Sequence, residues 1–101
     1  MGLASVSAPV ADTSSGSITT GGDSQTLVAA LDGRKYLLVH NPSSANLGIC
    51  LATSGAASIG AAGTITLEPG GTMTFESGFI LTNGLNIVGP NTGQTYTVWQ
   101  G

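Results

Sequence analysis

Three turn signals divide this chain into short apolar runs, and they limit the folds that it can form. Asp32-Gly33, Pro69-Gly70-Gly71 and Asn83-Gly84 each stand between two runs rich in apolar and β-branched residues. Two-residue Asp-Gly and Asn-Gly loops are typical of type I′ hairpins, and Pro-Gly-Gly fits a three-residue loop with a bulge. The sequence therefore predicts three β-hairpins.

The first hairpin, over residues 25–41, contains the longest apolar run and is expected to be the core pair. A two-residue loop would place Leu27 opposite Leu38 on one face and Val28 opposite Leu37 on the other. Neither face is polar. This strand pair is therefore predicted to lie between two layers, or between its own core and another subunit.

The other two hairpins are predicted over residues 64–76 and 79–88. In the earlier one, a bulged loop would pair Leu67 with Met73 and separate an apolar face from a polar one. The later one would be apolar on both faces. Residues 53–63 consist mostly of small residues and are predicted to be a loop. The absence of large side chains would let it lie flat against another surface, but a mobile exposed loop is favoured.

Composition agrees with a β fold. The 101 residues include 16 glycines, and no segment with a 3.6-residue period is long enough for a helix. Apolar alternation predicts further strands at residues 47–51 and 95–100. We therefore predict one all-β domain, a small antiparallel β-sandwich or jelly-roll-like barrel of about seven to eight short strands.

Residues 1–22 are predicted to be an extended N-terminal arm, outside a sandwich domain of residues 23–101. Their scattered apolar residues cannot bury enough surface to fold alone. Two expectations stay open, namely a disordered terminus and an arm that orders on a neighbouring subunit. The arm would be anchored by its isolated apolar side chains, Leu3, Val6, Val10 and Ile18.

Charged residues are scarce, at 7% of the chain against about 25% in a typical soluble domain. Because charges are depleted in the cores of protein interfaces, much of the surface is expected to be covered by other protein. The net charge is −3, and Arg34 and Lys35 are the only basic residues besides one histidine. This balance argues against nucleic acid as a partner. The two basic residues are expected to solvate the edge of the first hairpin rather than to bind an anion.

The mean hydropathy of +0.30 raises the question of a membrane protein. No apolar run approaches the roughly 18 residues that a membrane span requires. The sequence therefore predicts a soluble chain with no membrane partner.

The residues needed for catalysis or metal binding are few. One histidine, His40, and one cysteine, Cys50, cannot form a closed N/S metal site, and no serine lies in a G-x-S-x-G motif. Glu68 and Glu76 fall on the polar face of a predicted hairpin, where solvated carboxylates are expected rather than a glycosidase pair. The sequence predicts no enzyme, no cofactor and no metal.

Three aromatic residues leave a binding function open. Tyr36, Tyr96 and Trp99 could stack on sugar rings, as in carbohydrate-binding β-sandwiches. In a core this small, aromatic residues more often serve packing.

The order of motifs over residues 25–101 carries a resemblance. A basic pair, Arg34-Lys35, leads into the run 36–39, Tyr-Leu-Leu-Val, and then into His40-Asn41-Pro42-Ser43. Later, residues 67–71 read Leu-Glu-Pro-Gly-Gly before a threonine-rich strand that ends in an aromatic residue. This order resembles small virion proteins of tailed bacteriophages, and among them most closely a capsid decoration, or cement, protein.

The resemblance implies a structural protein on the outer surface of the capsid, made in the host cytoplasm and bound to the major capsid protein. It also implies a homo-oligomer, with a trimer favoured over a dimer, and it brings no catalytic residues. A tail, baseplate or fibre component, including a receptor-binding tip, is the alternative. Besides the four arm anchors, the residues expected to bind the partner are Arg34, Lys35 and Trp99.

Overall fold

The computed structural model describes residues 12–13, 15–52, 55–76 and 78–101. These residues form short strands and no helix, which confirms the all-β prediction. Accordingly, no helix within the described ranges could cross a membrane. The strands are β1 Asp12–Thr13, β2 Gly16–Ser17, β3 Gln25–Val28, β4 Leu37–His40, β5 Leu47–Cys50, β6 Thr64–Leu67, β7 Thr72–Phe75, β8 Leu85–Val88 and β9 Thr95–Gln100.

The strands form two antiparallel sheets that pack face to face around one core. Sheet A has the order β1–β9–β4–β7, with β2 also paired to β9, and sheet B has the order β3–β8–β5–β6. β1 and β2 keep one register along β9, because Asp12 lies opposite Gln100 and Ser17 lies opposite Thr95. Together they act as one interrupted edge strand, so each sheet has four strand positions.

The chain passes between the sheets in a jelly-roll order. After β2, only the β5–β6 connection joins neighbours in one sheet, and each other connection crosses to the opposite sheet. The first edge strand lies beside the last strand, β9. Two interlocked Greek keys of this kind define a jelly roll, so the sandwich or jelly-roll prediction is confirmed.

The three predicted hairpins are wrong. β3 and β4 lie in different sheets, as do β6 and β7. Residues 80–84 are not in a strand, and β8 pairs with β3 and β5 instead. The predicted apolar pairs across the three turns therefore do not form. Except for β5 and β6, strands that are consecutive from β2 onwards lie in opposite sheets.

The turn residues of the first two predicted hairpins nevertheless make turns, of a different type. The N–H of Arg34 donates to the Leu31 carbonyl at 3.2 Å, and Gly33 has a φ of 76°. Gly70 likewise has a φ of 80° inside a turn that starts at Glu68. A type I′ turn needs two central residues with positive φ, whereas a single one at the third position is the type II pattern. Such turns connect the two sheets here instead of closing hairpins.

The core lies between the sheets and includes part of the predicted arm. Ile18, immediately after β2, is only 1% exposed and packs with the core of its own chain. The other anchors proposed for the arm, Leu3, Val6 and Val10, lie outside the described residues. The fully buried core side chains contributed by the strands are Leu37, Val39, Leu47, Ile49, Leu85, Ile87 and Val98.

Candidate interaction surface

One end of the sandwich is closed by two buried amide side chains. Asn41 is fully buried, and its Nδ2 donates to the carbonyls of Ala45 and Leu67, both at 2.8 Å. Gln94 donates from Nε2 to the carbonyls of Ala45 and Asn46 at 2.8 and 2.9 Å. Because buried polar groups require partners, these amides are structural and occupy the space between the loops.

The opposite end is organised by Arg34, which is only 2% exposed. Its Nε donates to Oε1 of Gln100 at 2.9 Å, and its Nη2 donates to the Ala29 carbonyl at 2.8 Å. Its Nη1 donates to the carbonyls of Leu81 and Asn83. The guanidinium thus joins β9 to two loops, the one between β3 and β4 and the one between β7 and β8.

The expectation that Arg34 solvates a hairpin edge is therefore wrong. The turn before it crosses between the sheets, so the residue after the turn enters the end of the sandwich. Desolvation by burial lowers the pKa of Arg34, but an arginine in a protein stays charged. Lys35, in contrast, is exposed, so of the two adjacent cations it alone presents its charge to solvent.

Part of the outer face of sheet B is covered by the chain itself. The β5–β6 loop lies across it, with the N–H of Ala57 donating to Oγ of Ser24 at 2.9 Å and Nδ2 of Asn86 donating to the Gly55 carbonyl at 2.6 Å. Ala57 packs there against Cys50 and Val88. Of the two expectations for this loop, the flat-lying one describes the part around Ala57, whereas residues 58–63 are exposed as the favoured one expected. The same cover buries the single thiol.

Within the described residues, the outer face of sheet A has no such cover. Trp99 on β9 lies opposite Leu38 on β4, which lies opposite Thr74 on β7. Trp99 is 43% exposed. Beside this row, His40 and Thr72 form a side-chain hydrogen bond of 2.8 Å. We call this surface the Trp99 face and define it by Leu38, His40, Thr72, Thr74, Thr97 and Trp99.

The Trp99 face carries no Asp, Glu, Lys or Arg among its defining residues. Tyr36 extends it, because the Tyr36 backbone pairs with Gly101 through two hydrogen bonds of 3.1 Å and so continues the alternation of β4. Tyr96 instead points into the core and is 7% exposed. Of the three aromatic residues considered for sugar stacking, two therefore belong to one surface and one serves packing.

Two shallow grooves border sheet B and hold no reactive groups. One, of about 280 Å³, is lined by the β3 end and residues 84–86, and the other, of about 220 Å³, by residues 22, 58–59 and 88–90. Neither lining contains a charged side chain. Within the described ranges, no group of three His, Cys, Asp or Glu residues could hold a metal ion. The Trp99 face is therefore the main candidate surface.

Sequence reasoning found Trp99 but missed the residues around it. Leu38 was predicted to lie opposite Leu27 on one apolar face of a hairpin, and Thr72 and Thr74 were predicted to lie on the polar face of another. Their grouping depends on β4 lying between β9 and β7, and this order joins strands distant in sequence. The sequence indicated which residues of a strand share a face, but it did not indicate the order of the strands in the sheet.

Comparison with known proteins adds no family. No protein-family model matches the chain, and no curated protein or solved structure matches it either.

Proposed function

We propose that this protein is a bacteriophage structural protein that decorates the assembled capsid and stabilises it by bridging capsid subunits. The virion setting rests on the resemblance of the motifs at residues 34–43 and 67–71. The contact rests on one observation about the fold. Within the described residues, the chain covers part of the outer face of sheet B with its own loop and leaves the Trp99 face uncovered.

The chemistry of the Trp99 face suits a protein partner. Tryptophan is enriched among the side chains that contribute most binding energy at interfaces, and charged residues are depleted at interface cores. Threonine hydroxyls around Trp99 can form hydrogen bonds at the rim. A rigid sandwich that carries such a face can contact two capsid subunits at their boundary.

Binding of this kind stabilises a capsid without tight individual contacts. A ligand that binds only the assembled lattice stabilises it by mass action. Contacts made to several subunits at once combine through effective concentration. The major capsid protein is therefore the proposed partner, and the outer capsid surface the proposed location.

Co-sedimentation of the purified protein with capsids that lack it tests this proposal. Trp99→Ala should weaken binding about tenfold or more, because it removes the main exposed apolar side chain of the face. Ile59→Ala is the matched control, since Ile59 is 38% exposed on the loop that covers sheet B. Unchanged binding of the Trp99 variant, or no binding by the native chain, would contradict the proposal.

Copy number separates a capsid protein from a tail, baseplate or fibre component. Gel densitometry of purified particles should give hundreds of copies for a decoration protein. A few to tens of copies would assign the chain to the tail instead.

A carbohydrate-binding module is the second candidate, and the exposure of Trp99 beside Tyr36 favours it. An exposed ring on a flat sheet, with hydroxyl groups around it, can stack on a sugar. This function predicts glycan binding on an array that Trp99→Ala abolishes while the circular dichroism spectrum is unchanged. Native protein that binds no glycan would exclude it.

A further inference from the structure

One ionisable side chain belongs to the Trp99 face. The residues that define this face are leucine, threonine, tryptophan and a single histidine, His40. His40 lies on β4 between Thr97 of β9 and Thr72 of β7, and it is half-buried. Histidine is the side chain that ordinarily changes its charge between about pH 5 and pH 8. In this range, the charge of the face therefore depends on one group.

A hydrogen bond holds the ring of His40 on the sheet. Its Nδ1 lies 2.8 Å from Oγ1 of Thr72, so Nε2 at the tip of the ring is the nitrogen that can face a partner. A neutral imidazole has one N–H and one acceptor nitrogen, whereas a protonated imidazole donates from both nitrogens. Protonation therefore gives the face a positive charge, an N–H at Nε2 and a Thr72 hydroxyl whose hydrogen points away from the ring.

The loops at this end of sheet A contain few ionisable groups. Residues 41–46 follow β4 and residues 89–94 precede β9, and neither segment contains an ionisable side chain. The turn at residues 68–71 forms backbone hydrogen bonds with the residue that follows His40. It carries one carboxylate, Glu68, which is exposed to solvent.

Glu76 is a second carboxylate near the Trp99 face. It directly follows β7, and the alternation of the strand puts it on the same side as Thr72. Four residues separate the two, a distance of about 13 Å at ~3.3 Å per residue. Because screening acts over about 8 Å at physiological ionic strength, Glu76 does not neutralise a charge on His40.

We infer that protonation of His40 detaches the Trp99 face from its partner, so that attachment weakens as the pH falls. The inference rests on the proposed function, because it concerns the same contact. An uncharged face matches a partner surface that is itself uncharged. An imidazolium moved from water into such a contact loses hydration and gains no counter-ion. A neutral imidazole has no charge to desolvate and can form a hydrogen bond through Nε2.

The direction of the effect follows from proton linkage. Because the partner accepts the neutral imidazole, binding is complete above the range in which histidine titrates and is lost below it. Between about pH 8 and about pH 5, the dissociation constant should rise about tenfold or more. Binding within this range should also release a proton from each chain that carries one on His40.

Co-sedimentation of the native chain with capsids that lack it, at about pH 8 and about pH 5, measures the change. His40→Asn is the matched variant, because an asparagine amide occupies the position of Nδ1 beside Thr72 and does not titrate. It should bind about equally at both pH values. A change in the capsid itself would affect the native chain and the variant alike.

Three further substitutions separate the charge of His40 from the charges around it. His40→Lys is charged at both pH values and should bind weakly at both. Glu68→Gln and Glu76→Gln remove the carboxylates near the face and should keep the pH dependence of the native chain. Circular dichroism of each variant shows whether the fold is kept.

Calorimetry gives a second measurement, which a purely structural role of His40 would not affect. Near about pH 6.5, the binding enthalpy of the native chain should differ between two buffers of different ionisation enthalpy, because the released protons pass to the buffer. His40→Asn should lose this difference.

Three results would overturn the inference. They are equal binding of the native chain at both pH values, an equal loss of binding in His40→Asn, and equal binding enthalpies of the native chain in the two buffers. A native chain that binds no capsid at either pH would contradict the proposed function itself, and the inference with it.

Discussion

At the scale of single residues, buried polar side chains hold the loops together at the two ends of the sandwich. Arg34, Asn41 and Gln94 are buried and make their hydrogen bonds to backbone carbonyls and neighbouring side chains. Their residue types give no sign of burial in the sequence, because arginine and amides are usually exposed. The role of Arg34 depends on three carbonyls that only the fold brings together.

Arg34→Lys should lower the free energy of unfolding by about 2–4 kcal/mol. Lysine keeps the charge, but it cannot reproduce the planar fork, so some of the buried carbonyls of Ala29, Leu81 and Asn83 lose their donor. Urea denaturation measures the change. Lys35→Arg is the matched control, and at this exposed position the change should stay within about 0.5 kcal/mol. Equal effects of the two substitutions would show that the Arg34 hydrogen bonds contribute little.

At the scale of elements, the sequence indicated where strands lie better than how they pair. Predicted strands at residues 47–51 and 95–100 match β5 and β9 closely. The prediction of hairpins was wrong because Asp-Gly and Pro-Gly sequences fit type II turns as well as hairpin turns. The local sequence pattern does not distinguish the two turn types. Ile18 illustrates the same limit. Its partners in the core come from distant strands, so the local sequence showed only an isolated apolar residue.

One glycine in β5 did carry a readable signal, because glycine inside a strand often marks a close approach. A Cβ at Gly48 would lie 2.9 Å from Cγ2 of Thr64, 3.0 Å from Cγ1 of Ile59 and 3.1 Å from Cγ1 of Val88. The absence of a side chain thus lets the β5–β6 loop lie against sheet B.

Gly48→Val should lower the free energy of unfolding by about 1–3 kcal/mol through overpacking. It should also increase proteolytic cleavage within residues 51–63, because the added side chain displaces the loop. Thr66→Val is the control, since Thr66 lies directly opposite Gly48 on an exposed position of β6. Limited proteolysis with mass spectrometry measures the cleavage, and a protected loop in Gly48→Val would contradict the explanation.

At the scale of the whole molecule, low charge and all-β architecture were both evident from composition, and the sequence predicted the sandwich correctly. The difference between its two faces was not predictable, because it depends on which loop folds back over which sheet. Of the seven residues that the sequence predicted to bind a partner, Trp99 lies on the candidate surface, and the neighbours of Trp99 required the strand order.

If the proposed attachment is correct, capsid binding should change little between about 0.1 M and about 1 M NaCl. Screening shortens to about 3 Å at the higher concentration, which weakens surface ion pairs but not apolar contacts. Co-sedimentation at the two salt concentrations measures this. Lys35→Glu should also have a small effect, since Lys35 does not belong to the Trp99 face. Release of the native chain by salt would indicate attachment through charges.

The pairing of β1 and β2 with β9 has a consequence for synthesis. These strands come from opposite ends of the described chain, so sheet A cannot be completed until residues near 100 have left the ribosome. Until then β4 lacks one of its two neighbours, and its apolar residues stay accessible. Folds dominated by such long-range pairing form slowly. The nascent chain therefore passes through a period in which it is prone to aggregate, and a molecular chaperone would increase its yield.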